Sequence, residues 1–229
     1  MHIVDVQLTV TDPAAAAVYF SETLGLPTDV DDLTAVVFVG TSRLTLKPGK
    51  VRAGVHHLAF DIPAATFTQH RDWLSERLPL LQNSVGATEF EGPADWDSRS
   101  VYFAGPDHMV LELICRRSRS QPPTGPVPQL MSISEVGVAV ADVTATVQEL
   151  VTRLDVDVLG QAADEFAPVG DHFGLLILVS PGREWLPVFD ERAEPLPLHV
   201  TVRDSRSSPG VWSESTFQLN KVASLTTTA

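Results

Sequence analysis

Hydrophobic and polar residues alternate at the start of three segments of the chain, and a helical pattern follows each. The alternating segments cover residues 5–12, 57–63 and 135–142. In a strand, residues two apart share a face, so each segment can pack one apolar face on a helix. The pattern predicts three units of one kind, each opening with a strand and continuing into a helix.

The sequence contains capping signals that mark the ends of the helices in the first and third units. Asp12 is a good N-cap, and Pro13 suits the first helical position. Gly25 suits the left-handed residue that follows a helix. In the third unit Asp142 is the corresponding cap, and apolar residues recur at helical spacing as far as Leu154.

Each helix is followed by short strand candidates parted by a turn. They are residues 35–39 and 43–46, 100–104 and 109–114, and 166–169 and 175–179. The turns between them are rich in Gly, Pro, Asp and Ser, as hairpins require. The repeated unit is therefore a strand, a helix and two or three antiparallel strands, which predicts an α+β fold.

Two segments of the second unit resemble a known family. Residues 55–62 look like the opening strand of a second module, and residues 101–114 look like its closing hairpin. That hairpin has an aromatic strand, a Gly-Pro-Asp turn and an apolar strand with one glutamate. Both are similar to the vicinal-oxygen-chelate superfamily of glyoxalases, extradiol dioxygenases and fosfomycin- or bleomycin-resistance proteins. The resemblance implies tandem βαβββ modules, paired so that their sheets form a half-open barrel around a metal.

The resemblance covers about residues 1–117 well and residues 132–180 more loosely. We therefore expect paired modules in 1–117, a linker in 118–131, and a third, partial module with an extra strand in 132–204. The linker is rich in Ser, Arg, Pro and Gly. Residues 205–229 are rich in Ser and Thr, which predicts an irregular tail and a fourth unit that is started and not completed.

The resemblance also implies metal ligands. His57 matches a ligand on the first strand of the second module, and Glu112 matches the ligand on its last strand. The corresponding position of the first unit is Asp5, where most metalloenzymes of the family have His, Gln or Glu. On the closing strand of the first unit, the position falls near Thr45 or Leu46, which supplies no strong ligand.

Strand alternation agrees with this assignment, because Asp5, His57 and Glu112 each lie on the face opposite the helix-packing residues. A carboxylate in an apolar strand is costly unless it is paired or metal-bound. One imidazole and two carboxylates suit a divalent Fe, Mn, Zn or Ni ion. Open coordination positions would let a substrate bind through two adjacent oxygens, with Glu112 as the catalytic group.

Each residue also has a structural interpretation. Glu112 could pair with a buried arginine, His57 could be a hydrogen-bonded core histidine, and Asp5 could be solvated near the chain end. Gln7, Thr9 and Tyr102 are the candidate substrate-binding groups, although Tyr102 could equally serve in packing.

The third unit offers two further groups. Glu135 is equivalent to Asp5, and His199 lies on a later opening strand, so the two could form a second, degenerate site. The closing strand at 175–178 carries no glutamate, which favours a structural role. The segment 181–187 is a distinctive loop to which the sequence assigns no role.

The charge and the composition of the chain limit the classes of partner and the location that we expect. The net charge of −13, from 16 basic and 29 acidic residues, disfavours nucleic acid and anionic membranes. The chain shows no signal peptide and no apolar run long enough for a membrane span, so a cytoplasmic location is expected. A homodimer is a further prediction, since an unpaired third unit would expose a sheet edge.

Three functions fit these observations. The first is a metal-dependent enzyme acting on a small oxygenated substrate, by lyase, isomerase or extradiol-type dioxygenase chemistry. Extradiol enzymes use two histidines and one glutamate, whereas isomerases and lyases tolerate more carboxylates. The alternative is a metal-free protein that binds a small molecule or antibiotic, as bleomycin-resistance proteins do. A structural or assembly role is the third.

Overall fold

A computed structural model describes residues 1–50, 54–119, 122–188, 190–204 and 209–223. The chain forms two seven-stranded sheets, one of them a half-barrel, with few helices. The predicted α+β class with tandem modules is therefore confirmed.

Four modules follow one another along the chain. The first contains β1 (His2–Val10), α1 (Pro13–Leu24), β2 (Thr28–Val30), β3 (Ala35–Val39) and β4 (Ser42–Pro48). The second contains β5 (His57–Asp61), α2 (Phe67–Ser75), β6 (Glu89–Glu91), β7 (Ser98–Ala104) and β8 (Val110–Arg116). The third contains β9 (Ser132–Ala139), α3 (Val143–Leu154), β10 (Phe166–Asp171) and β11 (Gly174–Val179). The fourth contains β12 (Leu198–Asp204), β13 (Gly210–Glu214) and β14 (Phe217–Ala223). Short 3₁₀ helices cover Ala64–Thr66, Ala94–Trp96 and Pro106–His108.

The helix ends follow the sequence signals. The Asp12 carboxylate accepts a hydrogen bond from the Ala15 amide at 3.0 Å, and Asp142 caps α3 in the same way. Gly25 closes α1 with φ +67°, a left-handed conformation that favours glycine. Both N-caps and the glycine stop are therefore confirmed.

The modules pair in a nested order. The first sheet, called sheet A here, has the order β13-β14-β12-β1-β4-β3-β2 and joins modules one and four. Sheet B has the order β10-β11-β9-β5-β8-β7-β6 and joins modules two and three. The structure thus corrects the expected pairing of modules one and two within 1–117. Alternation predicts a strand and its two faces, but it does not predict which distant strand will pair with it. In the structure β1 pairs with β12.

The expected irregular tail is also corrected. Residues 209–223 contain β13 and β14, which continue sheet A from β12, so 132–204 is not one unit. Trp212, Phe217 and Leu219 supply the buried face of these strands, while polar residues on the other face give the segment its unstructured composition. Residues 205–208 and 224–229 of the expected tail lie outside the described residues. The described part of 118–131 contains neither helix nor strand, as a linker requires.

The helices of modules one and three contact the other sheet as well as strands of their own modules. Phe20 of α1 meets Phe60 of β5 edge to face, with ring centroids 6.4 Å apart. Trp212 of β13 donates its indole N–H to Glu149 of α3 at 2.8 Å. One large core results, with a smaller cluster that includes Ile177 and Trp185. Within the described ranges, no helix has the length and apolar character needed to cross a membrane.

The fourth module should contribute strongly to stability. Leu219 on β14 is fully buried, whereas Val211 on β13 is 63% exposed. We expect Leu219→Ala to lower the free energy of unfolding by about 2–5 kcal/mol, because the substitution leaves a cavity in the core. Urea denaturation measures this loss. Val211→Ala is the control and should change stability by about 0.5 kcal/mol or less; equal small losses in both variants would show that the module is dispensable.

Candidate metal centre

Three buried ionisable residues converge on sheet B. His57 of β5, Glu112 of β8 and Glu135 of β9 each offer a ligand atom, and these atoms lie within 4.8 Å of one another. The strand register explains the meeting, because Ala59 of β5 is the partner of both Glu112 and Glu135. The two carboxylates therefore flank one small side chain, and His57 lies two residues earlier on the same face.

The His57 ring is held in one orientation. Its Nδ1 lies 3.0 Å from the carbonyl oxygen of Val110, the residue opposite it on β8. A carbonyl only accepts, so Nδ1 carries the proton and Nε2 presents a lone pair. That Nε2 lies 3.5 Å from Oε2 of Glu112. Burial lowers the pKa of His57 to about 4, against the opposing effect of the Val110 carbonyl, so the ring is neutral at pH 7.

The two carboxylates are strongly desolvated. Burial, followed by the charge of Glu135, raises the pKa of Glu112 well above its usual value, against hydrogen bonds from Ser100 and Tyr102. Burial also raises the pKa of Glu135, and the neighbouring Arg116 opposes that rise. Arg116 is fully buried, and its guanidinium donates to Glu135 and to the hydroxyl of Ser134.

These residues fit a divalent cation. A metal with ligand bonds of about 2.0–2.2 Å needs donor atoms a few ångströms apart, as this cluster has. Arg116 contacts Oε1 of Glu135, so the other carboxylate oxygen can act as a ligand. With no proton or cation between them, the Nε2 lone pair of His57 and an ionised Glu112 would repel each other.

A fourth ligand position is apolar. Gly137 of β9 pairs with Ile177 of β11, just as Ala59 pairs with Glu112 in the preceding module. Ile177 therefore occupies the place that corresponds to Glu112, and it lines the cavity above the cluster. If an ion were bound, three protein ligands would leave some of its coordination positions open.

The structure does not bring Asp5 to this cluster. Asp5 lies on β1 of sheet A, where Arg43 contacts its carboxylate at 2.7 Å and Gln7 donates to it at 2.9 Å. Because module two pairs with module three, Glu135 stands where Asp5 was expected. His199, expected to accompany Glu135, is exposed on β12 of sheet A opposite Gln7. The proposed second site of Glu135 and His199 therefore does not assemble.

Of the three candidate substrate-binding residues, one reaches the cluster. Tyr102 of β7 lines its cavity, with its ring stacked against that of His57 at 6.3 Å between centroids. Gln7 and Thr9 lie on β1 of sheet A. They belonged to the same expected face as Asp5, and the nested pairing of modules moves all three together.

The cavity above the cluster has a volume of about 290 Å³. His57, Glu112 and Glu135 lie in its wall, and five aromatic residues supply much of the remainder: Phe90, Trp96, Tyr102, Phe166 and Trp185. A largely apolar cleft with a few convergent polar groups is the usual form of a small-molecule site.

Sequence reasoning missed the role of Trp185, although the segment 181–187 attracted notice. The Trp185 ring stacks on His57, with centroids 4.9 Å apart and planes at 29°. A Cβ added at Gly137 would lie 2.5 Å from the Trp185 ring and 3.0 Å from the Cβ of His57. The glycine two residues after Glu135 is the signal that a ring packs closely against this strand.

Sequence comparisons find no relatives, since no protein-family model and no curated protein matches the chain. Solved structures do match. A putative dioxygenase from Bacillus subtilis subsp. subtilis str. 168 has a TM-score of 0.63 at 13% identity, over 96% of this chain and 85% of that chain. A glyoxalase I mutant from Zea mays has a TM-score of 0.55 at 14% identity, over 97% of this chain and 92% of that chain.

At these identities the similarity shows the fold alone. That fold agrees with the repeated unit of a strand, a helix and antiparallel strands that the sequence predicts. The chain has the fold of the vicinal-oxygen-chelate superfamily.

Proposed function

We propose that the protein is a metal-dependent enzyme that acts on a small oxygenated substrate. The observation that carries this proposal is the convergence of His57, Glu112 and Glu135, all buried, in the wall of a cavity. Burying two carboxylates together is costly unless a cation offsets their charge. The similarity in fold to a putative dioxygenase and to a glyoxalase I supports the proposal.

The chemistry follows from the ligand set. A divalent Fe, Mn, Zn or Ni ion would supply Lewis acidity toward two adjacent substrate oxygens. Glu112 is the proposed proton-transfer group, because its carboxyl lies in the cavity wall beside the other two residues of the cluster and can hold or release a proton there. His57 keeps a fixed tautomer, and the aromatic walls exclude water. One histidine with two glutamates favours isomerase or lyase chemistry over the two-histidine extradiol arrangement.

One observation favours the alternative of a metal-free binding protein. Arg116 already neutralises Glu135, and the raised pKa of Glu112 favours its protonated form, which can donate to His57. The cluster can thus be satisfied by protons and one guanidinium. In that case the same cavity would bind a small molecule or antibiotic without chemistry. A homodimer and a cytoplasmic location stay predictions in either case.

Metal uptake separates the two functions. We expect the purified protein, incubated with Ni²⁺ or Mn²⁺ and then dialysed, to retain about one ion per chain. His57→Ala, Glu112→Ala and Glu135→Gln should each lower metal affinity by at least about tenfold, because each removes a ligand. Elemental analysis and the metal-dependent rise in Tm measure the effect.

Asp5→Asn is the matched control, since it removes a buried carboxylate from the other sheet. It should retain the metal as the parent does. A metal-free parent whose stability is unchanged in His57→Ala and Glu112→Ala would overturn the enzyme proposal. Loss of metal in Asp5→Asn alone would move the site to sheet A.

The Arg116–Glu135 pair gives a further prediction. In metal-free buffer, Arg116→Met should lower the free energy of unfolding by about 3–5 kcal/mol, because it leaves a buried carboxylate without its partner. The double variant Arg116→Met/Glu135→Gln should recover most of that loss, as urea denaturation would measure. If the double variant loses as much free energy of unfolding as Arg116→Met and Glu135→Gln lose together, the two residues are not coupled, and the ion pair does not offset the cost of burying Glu135.

A further inference from the structure

The segment 180–193, apart from residue 189, forms a hairpin that borders the cavity. It connects β11 to β12 and lies outside the βαβββ pattern of the modules. The amide of Trp185 donates to the carbonyl of Glu191 at 2.9 Å, and that of Ala193 donates to the carbonyl of Arg183 at 2.8 Å. An ion pair between Arg192 and Glu184 at 2.8 Å joins its two sides. We call this segment the Trp185 hairpin.

The hairpin presents an arginine to the cavity. Arg183 lines it, and its guanidinium lies over the ring of Phe166 at 5.1 Å from the centroid. No carboxylate among the described residues forms an ion pair with Arg183. The two acidic residues that line the cavity away from the metal cluster have partners: Glu91 pairs with Arg117, and Glu184 pairs with Arg192.

The charge of Arg183 is thus available to a ligand. The chain as a whole carries −13, a field that repels anions at low ionic strength. At physiological salt that repulsion is screened beyond about 8 Å, so a local cation decides the charge preference of the cavity. A guanidinium binds carboxylates through paired hydrogen bonds, and its place over a ring keeps its plane oriented.

Aromatic rings form much of the cavity wall near Arg183. The Trp185 ring lines the cavity, whereas its indole Nε1 is itself buried, without a hydrogen-bond acceptor among the described residues. Trp96 stacks on Phe166 with planes at 20° and centroids 6.2 Å apart, so flat rings border the cavity near Arg183.

From these contacts we propose that the cavity binds a flat, ring-bearing carboxylate, with Arg183 as the residue that selects the anion. The vicinal oxygens of the ligand face His57, Glu112 and Glu135, a part of the proposal that rests on the proposed metal function. Its carboxylate pairs with Arg183, and its ring lies against the aromatic wall of the cavity. Arg183 is a specificity residue and takes no part in proton transfer.

Two hydroxamates test this proposal, because a hydroxamate chelates a metal through two adjacent oxygens. The probes are benzohydroxamate and 4-carboxybenzohydroxamate, titrated by calorimetry into the Ni²⁺-loaded full chain. We expect the carboxylated probe to bind about fivefold to tenfold more tightly than the plain one. Arg183→Gln should remove this preference, Arg183→Lys should keep part of it, and all three proteins should retain Ni²⁺ equally.

Arg153→Gln on α3 is the matched control, since it removes an exposed positive charge that does not line the cavity. It should keep the preference of the parent. Equal binding of the two probes by the parent, or a preference that survives in Arg183→Gln, would overturn the proposal.

If the parent retains no Ni²⁺, the proposed enzyme function fails and a metal-free pair of probes decides the inference. Benzoate should then bind more tightly than benzamide to the parent and equally to Arg183→Gln. Undetectable benzoate binding, or no preference for benzoate in the parent, would overturn it. Failure of the metal function and failure of the anion preference are thus distinguishable.

Discussion

The cost of burying charge is the constraint on which the candidate site depends. Glu112, Glu135 and Arg116 are almost completely removed from water, and only one of the two carboxylates contacts the guanidinium. A protein interior tolerates this only if protons or a cation supply the missing positive charge. The fixed tautomer of His57 sharpens the requirement, because its lone pair faces Glu112. The cluster therefore needs a compensating positive charge, which a divalent ion or a proton on Glu112 can supply.

The nested pairing of modules places all three residues of the cluster, His57, Glu112 and Glu135, on one sheet. The positions that correspond to His57, Glu112 and Glu135 can be found in sheet A by strand register: Asp5, Thr45 and His199. There Asp5 is paired with Arg43 and lies beside Thr45, and His199 is exposed. Both sheets have the same construction, yet only sheet B combines buried ligands with a cavity among the described residues.

Local patterns predicted most of the fold and part of the site. Both N-caps, the hairpins and the shared face of His57 and Glu112 followed from alternation and turn chemistry. The partner of each module did not follow, because strand parity gives a face and says nothing of which distant edge will cover it. That is why Asp5 was chosen in place of Glu135. Module four was missed because short strands with one polar face have the composition of a tail, and Trp185 because a hairpin outside the repeat has no periodic signal.

Gly137 couples the strand that supplies Glu135 to the Trp185 hairpin. It lies on the strand that supplies Glu135, and its missing side chain makes the space in which the Trp185 ring meets His57. Any larger residue there would displace the cavity wall and the imidazole together. Ligand preference can therefore change more freely through cavity residues on other elements, such as Arg183 of the Trp185 hairpin, than through Gly137.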